Sequence, residues 1–163
     1  MAAFEPLLWR CLMPGKTGFD EQGLSARIKP GGGETILVFH SDTTVFRDSF
    51  GLPPESNVSD AIFFYKNEAR RPVVLFLELK GTHLEHATRQ LTTVIKAIRL
   101  KMDAEVRNAT DYRAIILTSG SAPVKADSIW QRFEKDTGIS LRIKTVHKRG
   151  KGGIDLREYL PIG

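Results

Sequence analysis

Short apolar runs, bounded by glycine, proline or polar residues, predict most of the strands of this chain. ETILVFH predicts a strand over about residues 35–40, AIFFY one over residues 61–65, and VVLFLEL one over residues 73–79. These runs are rich in the β-branched and aromatic residues that favour strands. AIILT, residues 114–118, predicts a short buried strand, and ISLRIKTVH, residues 139–147, predicts the last strand of the core.

Apolar residues at helical spacing predict the helices. MAAFEPLLWRCLM predicts a first helix that ends before Pro14. T-H-L-E, residues 82–85, has the spacing of a capping box, and the apolar residues that follow keep a helical period to about Met102. Residues 128–135 predict a further helix. Strands joined through helices in this way indicate an α/β fold with a mixed sheet.

The composition is that of a soluble globular protein with a single core. The chain has 163 residues, the length of one domain spanning residues 1–163. No apolar run approaches the ~20 residues of a membrane helix, and the first helix lacks the basic start and cleavage site of a signal peptide. Cys11 is the only cysteine, which excludes an internal disulfide and makes the reducing cytoplasm the simplest location.

Positive charge is concentrated in the second half of the chain. The net charge is +5, and basic and acidic residues number 9 and 10 through Lys80 but 15 and 9 beyond it. The densest basic run, LRIKTVHKRGKGG, includes Lys148, Arg149 and Lys151. A basic half indicates a polyanionic partner, nucleic acid first, although a solvated surface explains the same charge without a partner.

One predicted strand carries two opposite charges in an otherwise apolar run. In LFLELKG, residues 75–81, Glu78 and Lys80 are separated by one residue. Alternate side chains of a strand share a face, so these two point the same way, roughly 7 Å apart along the strand. The structural alternative for this pair is a salt bridge near a strand end.

A hairpin with the preceding strand brings a third charged residue to this face. If the turn centres near Ala69, Asp60 falls opposite Glu78. The cross-strand pairs before it are apolar: Phe64 with Val74, and Ile62 with Phe76. Opposed Cβ atoms lie about 5 Å apart, where like charges are destabilising, and a divalent cation would remove that penalty. Mg²⁺ prefers carboxylate oxygens, and Lys80 could activate a water or neutralise charge on a phosphate.

Asp60 followed by Glu78-Leu79-Lys80 resembles the signature of the PD-(D/E)XK nuclease superfamily, which includes restriction enzymes, junction resolvases and RecB-like nucleases. The resemblance implies a restriction-endonuclease-like core, a mixed four-stranded β-sheet flanked by helices in the order αβββαβ. It also implies that Asp60 and Glu78 bind Mg²⁺, for which Mn²⁺ can substitute, and that Lys80 assists the attacking water.

The segment LELKGTHLEHATRQL is most similar to small stand-alone members of that superfamily, in which the helix after the lysine carries a glutamine. Gln90 matches that glutamine, although an ordinary residue at the border of the apolar stripe would look the same. Val94 stands where RecB-like members have a tyrosine, and Ser59 stands where the signature has a proline. The resemblance therefore favours the stand-alone nucleases over the RecB-like subgroup.

The leading hypothesis is a metal-dependent endonuclease that cuts DNA with little sequence specificity of its own. Lys148, Arg149 and Lys151 would contact the phosphate backbone. A chain of this length holds little beyond a nuclease core, so a dimer mate or a partner protein would choose the target. The resemblance implies a role in bacterial defence or DNA repair. The alternatives are a non-catalytic module of the same fold that binds nucleic acid or protein, and an RNase.

Overall fold

The computed structural model describes residues 9–80, 83–119, 126–146 and 153–160 of the chain. Residues 1–8 of the predicted first helix lie outside these ranges, and of residues 9–13 only Trp9 is helical. The predicted end of this helix is wrong, because Leu12 forms an antiparallel β-bridge with Phe39. Within the described ranges, no helix is long and apolar enough to cross a membrane.

Eight strands and four α-helices make up the described part of the chain. The strands are β1 (Gly18–Glu21), β2 (Leu24–Arg27), β3 (Glu34–His40), β4 (Ala61–Asn67), β5 (Val73–Lys80), β6 (Asp111–Thr118), β7 (Leu141–Thr145) and β8 (Ile154–Asp155). The helices are α1 (Thr44–Phe50), α2 (Leu84–Lys101), α3 (Ala104–Ala109) and α4 (Ala126–Thr137), followed by a 3-10 helix, Leu156–Tyr159.

The main sheet has five strands in the order β3-β4-β5-β6-β7. Strands β3, β4 and β5 are antiparallel, whereas β5, β6 and β7 are parallel and joined through helices. The α/β fold with a mixed sheet is therefore confirmed, but the predicted count of four strands is wrong. The fifth strand is β7, which lies within the strand predicted over residues 139–147 and pairs with β6, starting from Leu141 opposite Ala114.

A second sheet, with the strand order β1-β2-β8, was not predicted. Strands β1 and β2 form a hairpin whose two turn residues, Gln22 and Gly23, have φ of 50° and 78°. Two consecutive positive φ values are typical of the tight turn that matches the twist of a hairpin. Strand β8 pairs in parallel with β2 at Ala26 and Arg27. Periodicity along the chain does not reveal this pairing, because it joins segments near opposite ends of the sequence.

The main sheet is buried on both faces, which is why its central strands are continuous apolar runs rather than alternating ones. On one face Phe76 and Ile116 pack with α2, for example with Ile95. On the other face Leu75 packs in one cluster with residues of the small sheet and with Leu156 of the 3-10 helix. The helices thus cover one face and the small sheet covers the other.

The two long helices lie where they were predicted, but α2 begins differently from the prediction. Its N-cap residue is His83, with φ of −94° and no side-chain capping bond, and Thr82 lies outside the described residues. Helix α4 ends at Gly138, whose φ of 67° and whose N–H bond to the Glu134 carbonyl, 2.7 Å, terminate the helix.

Candidate active site

The β4–β5 hairpin has the predicted register. The apolar pairs face each other as expected: Phe64 with Val74, and Ile62 with Phe76. The ladder ends where Ala61 pairs with Leu77, and Asp60 is the residue just before β4. The next step of the same register sets Asp60 beside Glu78, so the hairpin brings these two predicted site residues together.

The Asp60 side chain supplies a hydrogen-bond acceptor to β5 just beyond the end of its pairing with β4. Its Oδ2 atom accepts a hydrogen bond from the Leu79 backbone N–H at 2.6 Å. Because β4 has already ended, that N–H has no ladder partner on β4, and a buried donor left unpaired is costly. Asp60 is only 5% exposed. The bond therefore holds a buried carboxylate directly against the strand that carries Glu78 and Lys80.

The segment leading to Asp60 is itself held by hydrogen bonds from two elements. Gln90 Nε2 on α2 donates to the Val58 carbonyl at 2.8 Å, and Ser41 Oγ donates to the Ser59 carbonyl at 2.6 Å. The Ser41 backbone N–H donates to the Asp60 carbonyl at 3.0 Å. Gln90 is buried within the inward face of α2 and does not lie at the border of its apolar stripe. In the structure it therefore positions the segment that carries Asp60.

Glu78 is 1% exposed, on the β5 face that it shares with Phe76. Its backbone pairs with Ile116 of β6. Burying an ionised carboxylate in apolar surroundings is unfavourable unless charge or hydrogen bonds compensate it. Glu78 lies on one apolar strand and pairs with another, so packing alone does not explain why a glutamate occupies this position.

Two further acidic residues, which the sequence did not predict, influence the site. Burial is the main cause that raises the pKa of Asp60 to about 7, and the carboxylates of Glu21 and Asp42 add to the rise. The Leu79 N–H bond acts in the opposite direction, because it favours the ionised form. Without a cation, Asp60 therefore holds its proton to a much higher pH than an ordinary aspartate does.

Glu21 reaches this region from the end of β1, on the small sheet. It was missed because no element was predicted over residues 18–27, where this hairpin lies. The signal was present in the sequence: Phe19, Leu24 and Ala26 supply the buried positions of the hairpin. Alternation on both sides of a Gln-Gly pair is typical of a tight hairpin.

The remaining predicted site residues are basic, and their side chains are not described. Lys80 ends β5 with its backbone paired to Thr118 of β6, and its side chain lies outside the described part of the structure. Lys148, Arg149 and Lys151 also lie outside the described residues. Their roles stay predictions.

The oxygen donors at this site are of the kind that Mg²⁺ prefers. Within the described residues, no three histidine, cysteine, aspartate or glutamate side chains converge as a metal site. Mg²⁺, however, is commonly held by one or two carboxylates, with water and phosphate oxygens completing its shell. Asp60 and Glu78 supply that number, and the nearby Glu21 makes the region more favourable for a cation. The residues present therefore fit Mg²⁺ or Mn²⁺.

Comparisons of the chain with known proteins identify no relative of it. No protein-family model, curated protein or solved structure matches the chain. The resemblance to the PD-(D/E)XK nucleases therefore rests on the signature Asp60, Glu78 and Lys80 and on the fold around it.

Proposed function

We propose that the chain is a metal-dependent endonuclease that hydrolyses phosphodiester bonds in DNA. The observation that carries the proposal is the 2.6 Å hydrogen bond between Asp60 Oδ2 and the Leu79 N–H. An aspartate and a Glu-x-Lys run occur together by chance in many sequences. Here the aspartate is buried and bonded to the backbone of Leu79, so it lies against the strand that carries Glu78 and Lys80.

The strand order supports a restriction-endonuclease-like core at the centre of the fold. Three antiparallel strands, β3 to β5, are followed by α2 and by the parallel strand β6. Apart from the short helices α1 and α3, these elements follow the βββαβ part of the αβββαβ order that the resemblance implies. On this proposal β7 and the small sheet are additions to that core.

Each site residue has a distinct proposed role. Asp60 and Glu78 would hold Mg²⁺, which supplies a Lewis acid for phosphate oxygens and makes a water more acidic. Lys80 would orient or deprotonate the attacking water, or neutralise charge on the phosphate. Gln90 would assist from α2 by holding the segment that carries Asp60, as its bond to the Val58 carbonyl indicates.

DNA as the substrate is supported by charge rather than by a reading motif. The net charge of +5 comes from the second half of the chain. Lys148, Arg149 and Lys151 would contact the phosphate backbone, which positions DNA without selecting a sequence. A second copy of the chain or a partner protein would then choose the target.

Burial of the carboxylates favours a second candidate, a non-catalytic binding module on the same fold. Asp60 and Glu78 are 5% and 1% exposed, which limits direct access of a phosphate. On this alternative, Asp60 serves only to complete the hydrogen bonding of β5. The two candidates differ in whether a divalent cation binds.

Cleavage of supercoiled plasmid tests the nuclease proposal. Wild-type protein is incubated with Mg²⁺, Mn²⁺ or EDTA, beside Glu78→Gln and Lys80→Ala. Glu68→Gln and Lys66→Ala are matched controls, because both residues are exposed in the β4–β5 hairpin. We expect metal-dependent nicking that falls by about 10²-fold or more in both site variants, as for loss of general acid–base groups, and stays unchanged in both controls.

The opposite outcomes are equally informative. Activity that survives Glu78→Gln contradicts the site assignment. Absence of cutting, together with a thermal midpoint that Mg²⁺ does not raise, supports the binding module. Parallel assays with RNA distinguish a deoxyribonuclease from an RNase.

A further inference from the structure

A cavity of about 440 Å³ lies away from the candidate active site. It is bounded by the first halves of β6 and β7 and by the end of the 3-10 helix. Its lining includes Ile115, which belongs to the buried cluster facing the small sheet. Glu78 pairs with Ile116, the next residue of β6, which faces the helices. The cavity and the candidate carboxylates therefore lie on opposite faces of the main sheet.

Two arginines give the cavity a positive charge. Arg142 of β7 is the register partner of Ile115, and Arg113 precedes Ile115 by two residues, so all three lie on one face. Within the described part of the chain, neither arginine forms an ion pair with a carboxylate. Among the described residues, the Arg113 side chain is bonded to the neighbouring Tyr112 carbonyl, at 2.8 Å. Both guanidinium groups thus keep donors for an anion.

The acidic residues near the cavity are already engaged. Glu158 lies in the lining, with its carboxylate 4.0 Å from Lys144 Nζ. Glu134, whose carboxylate Arg142 influences, accepts hydrogen bonds from Trp130 Nε1 at 2.8 Å and from the Leu141 N–H at 3.3 Å. Neither carboxylate neutralises the two arginines by direct contact.

Apart from the polar Ser140, the rest of the lining is apolar and aromatic. Ile115 and Leu160 are buried, and the Tyr159 side chain is half-buried beside them. Burial and the neighbouring Glu158 raise the pKa of Tyr159 to about 12, so its ring stays neutral at physiological pH. A neutral aromatic ring beside two arginines suits a ligand with an anionic end and a flat, apolar body.

We propose that this cavity binds a nucleotide, with its phosphate on Arg113 and Arg142 and its base against Tyr159 and Leu160. Planar guanidinium groups match phosphate oxygens in pairs, which makes arginine a preferred residue for phosphate recognition. Bases stack on aromatic side chains regardless of sequence. The phosphate belongs either to a free nucleotide or to the end of a nucleic-acid strand. The proposal does not depend on the nuclease function.

Calorimetric titration of the full chain in EDTA tests the proposal, because EDTA removes any metal at Asp60 and Glu78. Adenosine 5′-monophosphate is the probe, compared with inorganic phosphate and with adenosine. We expect the monophosphate to bind more tightly than either part alone. Arg142→Ala should weaken the affinity for the monophosphate about tenfold or more, because one strong charge-assisted contact is lost. The affinity of Arg142→Lys should lie between those of Arg142→Ala and the wild type.

Arg132→Ala is the matched control, since Arg132 is an exposed arginine that lines a different cavity. Tyr159→Leu should weaken the monophosphate more than inorganic phosphate. Equal affinity of Arg142→Ala and wild type, an equal loss in Arg132→Ala, or no binding at millimolar concentration would each overturn the proposal.

A short oligonucleotide with and without a 5′-phosphate separates the two sources of the phosphate. Tighter binding of the phosphorylated strand than of the free nucleotide, lost in Arg142→Ala, identifies a strand end. Binding of the free nucleotide alone identifies a small-molecule ligand. Both outcomes support the cavity as a nucleotide site.

Discussion

At the scale of single residues, Asp60 shows how one side chain serves structure and candidate chemistry together. Its carboxylate completes the hydrogen bonding of β5 at Leu79, yet it is buried near the carboxylates of Glu21 and Asp42. The first contact favours the charged form and the surroundings disfavour it. Burial dominates, and the pKa of Asp60 rises to about 7.

Asp60→Asn should therefore change how stability depends on pH in the metal-free protein. The pKa of Asp60 is raised from 3.8 to about 7, so between these values the folded state keeps a proton that the unfolded state has lost. The contribution of Asp60 is fully present below pH 3.8 and is lost as the pH rises through 7. The asparagine stays neutral, and its amide oxygen can still accept the Leu79 N–H bond.

Urea unfolding in EDTA at pH values from 4 to 8 measures this effect. We expect the unfolding free energy of Asp60→Asn, relative to that of the wild type, to increase as the pH rises. Between pH 4 and pH 8 the increase should be on the order of 3 kcal/mol. Parallel pH profiles for the two proteins would contradict this, because they would show that the pKa of Asp60 is the same in the folded and unfolded states.

At the scale of elements, the candidate site depends on how α2 is fastened to the loop before β4. Most of the inward face of α2 is apolar, and Gln90 is a buried polar exception among residues such as Leu91 and Val94. Its bond to the Val58 carbonyl joins the helix to the segment that ends in Asp60. Replacing one partner of such a bond leaves a buried carbonyl oxygen without its donor.

Gln90→Met should destabilise the protein by about 1–3 kcal/mol, because the methionine fills a similar volume but cannot donate to Val58. Gln131→Met on α4 is the control, since Gln131 is exposed and its replacement should change stability by less than about 0.5 kcal/mol. Urea unfolding measures both. Equal stability of Gln90→Met and wild type would mean that the bond between α2 and the loop contributes nothing net.

At the scale of the whole molecule, one charged junction connects the end of the described chain to the main sheet. Arg157 of the 3-10 helix donates to both carboxylate oxygens of Glu34 on β3, at 2.8 and 2.6 Å. Tyr65 Oη and the Gly31 N–H donate to the same carboxylate, each at 2.7 Å. A carboxylate with four donors, two of them from one guanidinium fork, is held strongly in its ionised form.

This junction should make the fold sensitive to acid. The Arg157 guanidinium, followed by Tyr65, lowers the pKa of Glu34 from 4.5 to about 2. The stability that Glu34 contributes to the folded state through this lowered pKa is fully present above pH 4.5. It is lost as the pH falls through 2. Glu34→Gln should therefore be less stable than the wild type at pH 7, and the difference should shrink as the pH falls from 5 to 2.

Thermal unfolding across that pH range checks the prediction, with Glu68→Gln as the control because Glu68 is exposed in the hairpin turn. A stability difference between Glu34→Gln and wild type that is the same at pH 2 and pH 7 would contradict it. The control variant should follow the wild type throughout.

Local pattern in the sequence determined the β4–β5 hairpin, the long helix α2 and the register that sets Asp60 beside Glu78. These are short-range features: strand residues alternate, turns have characteristic residues, and the apolar pairs of a hairpin align once its turn is located. The charge asymmetry and the absence of an internal disulfide also follow from the sequence alone.

Only the tertiary structure decided the features that depend on segments distant in sequence. It set β7 beside β6, paired β8 with β2, brought Glu21 toward Asp60, and made Gln90 a support for the loop before β4. The physical reason is that such contacts depend on which buried surfaces fit together after the chain folds. Local propensity carries no information about that fit, whereas a hairpin's register is set by residues that are already neighbours.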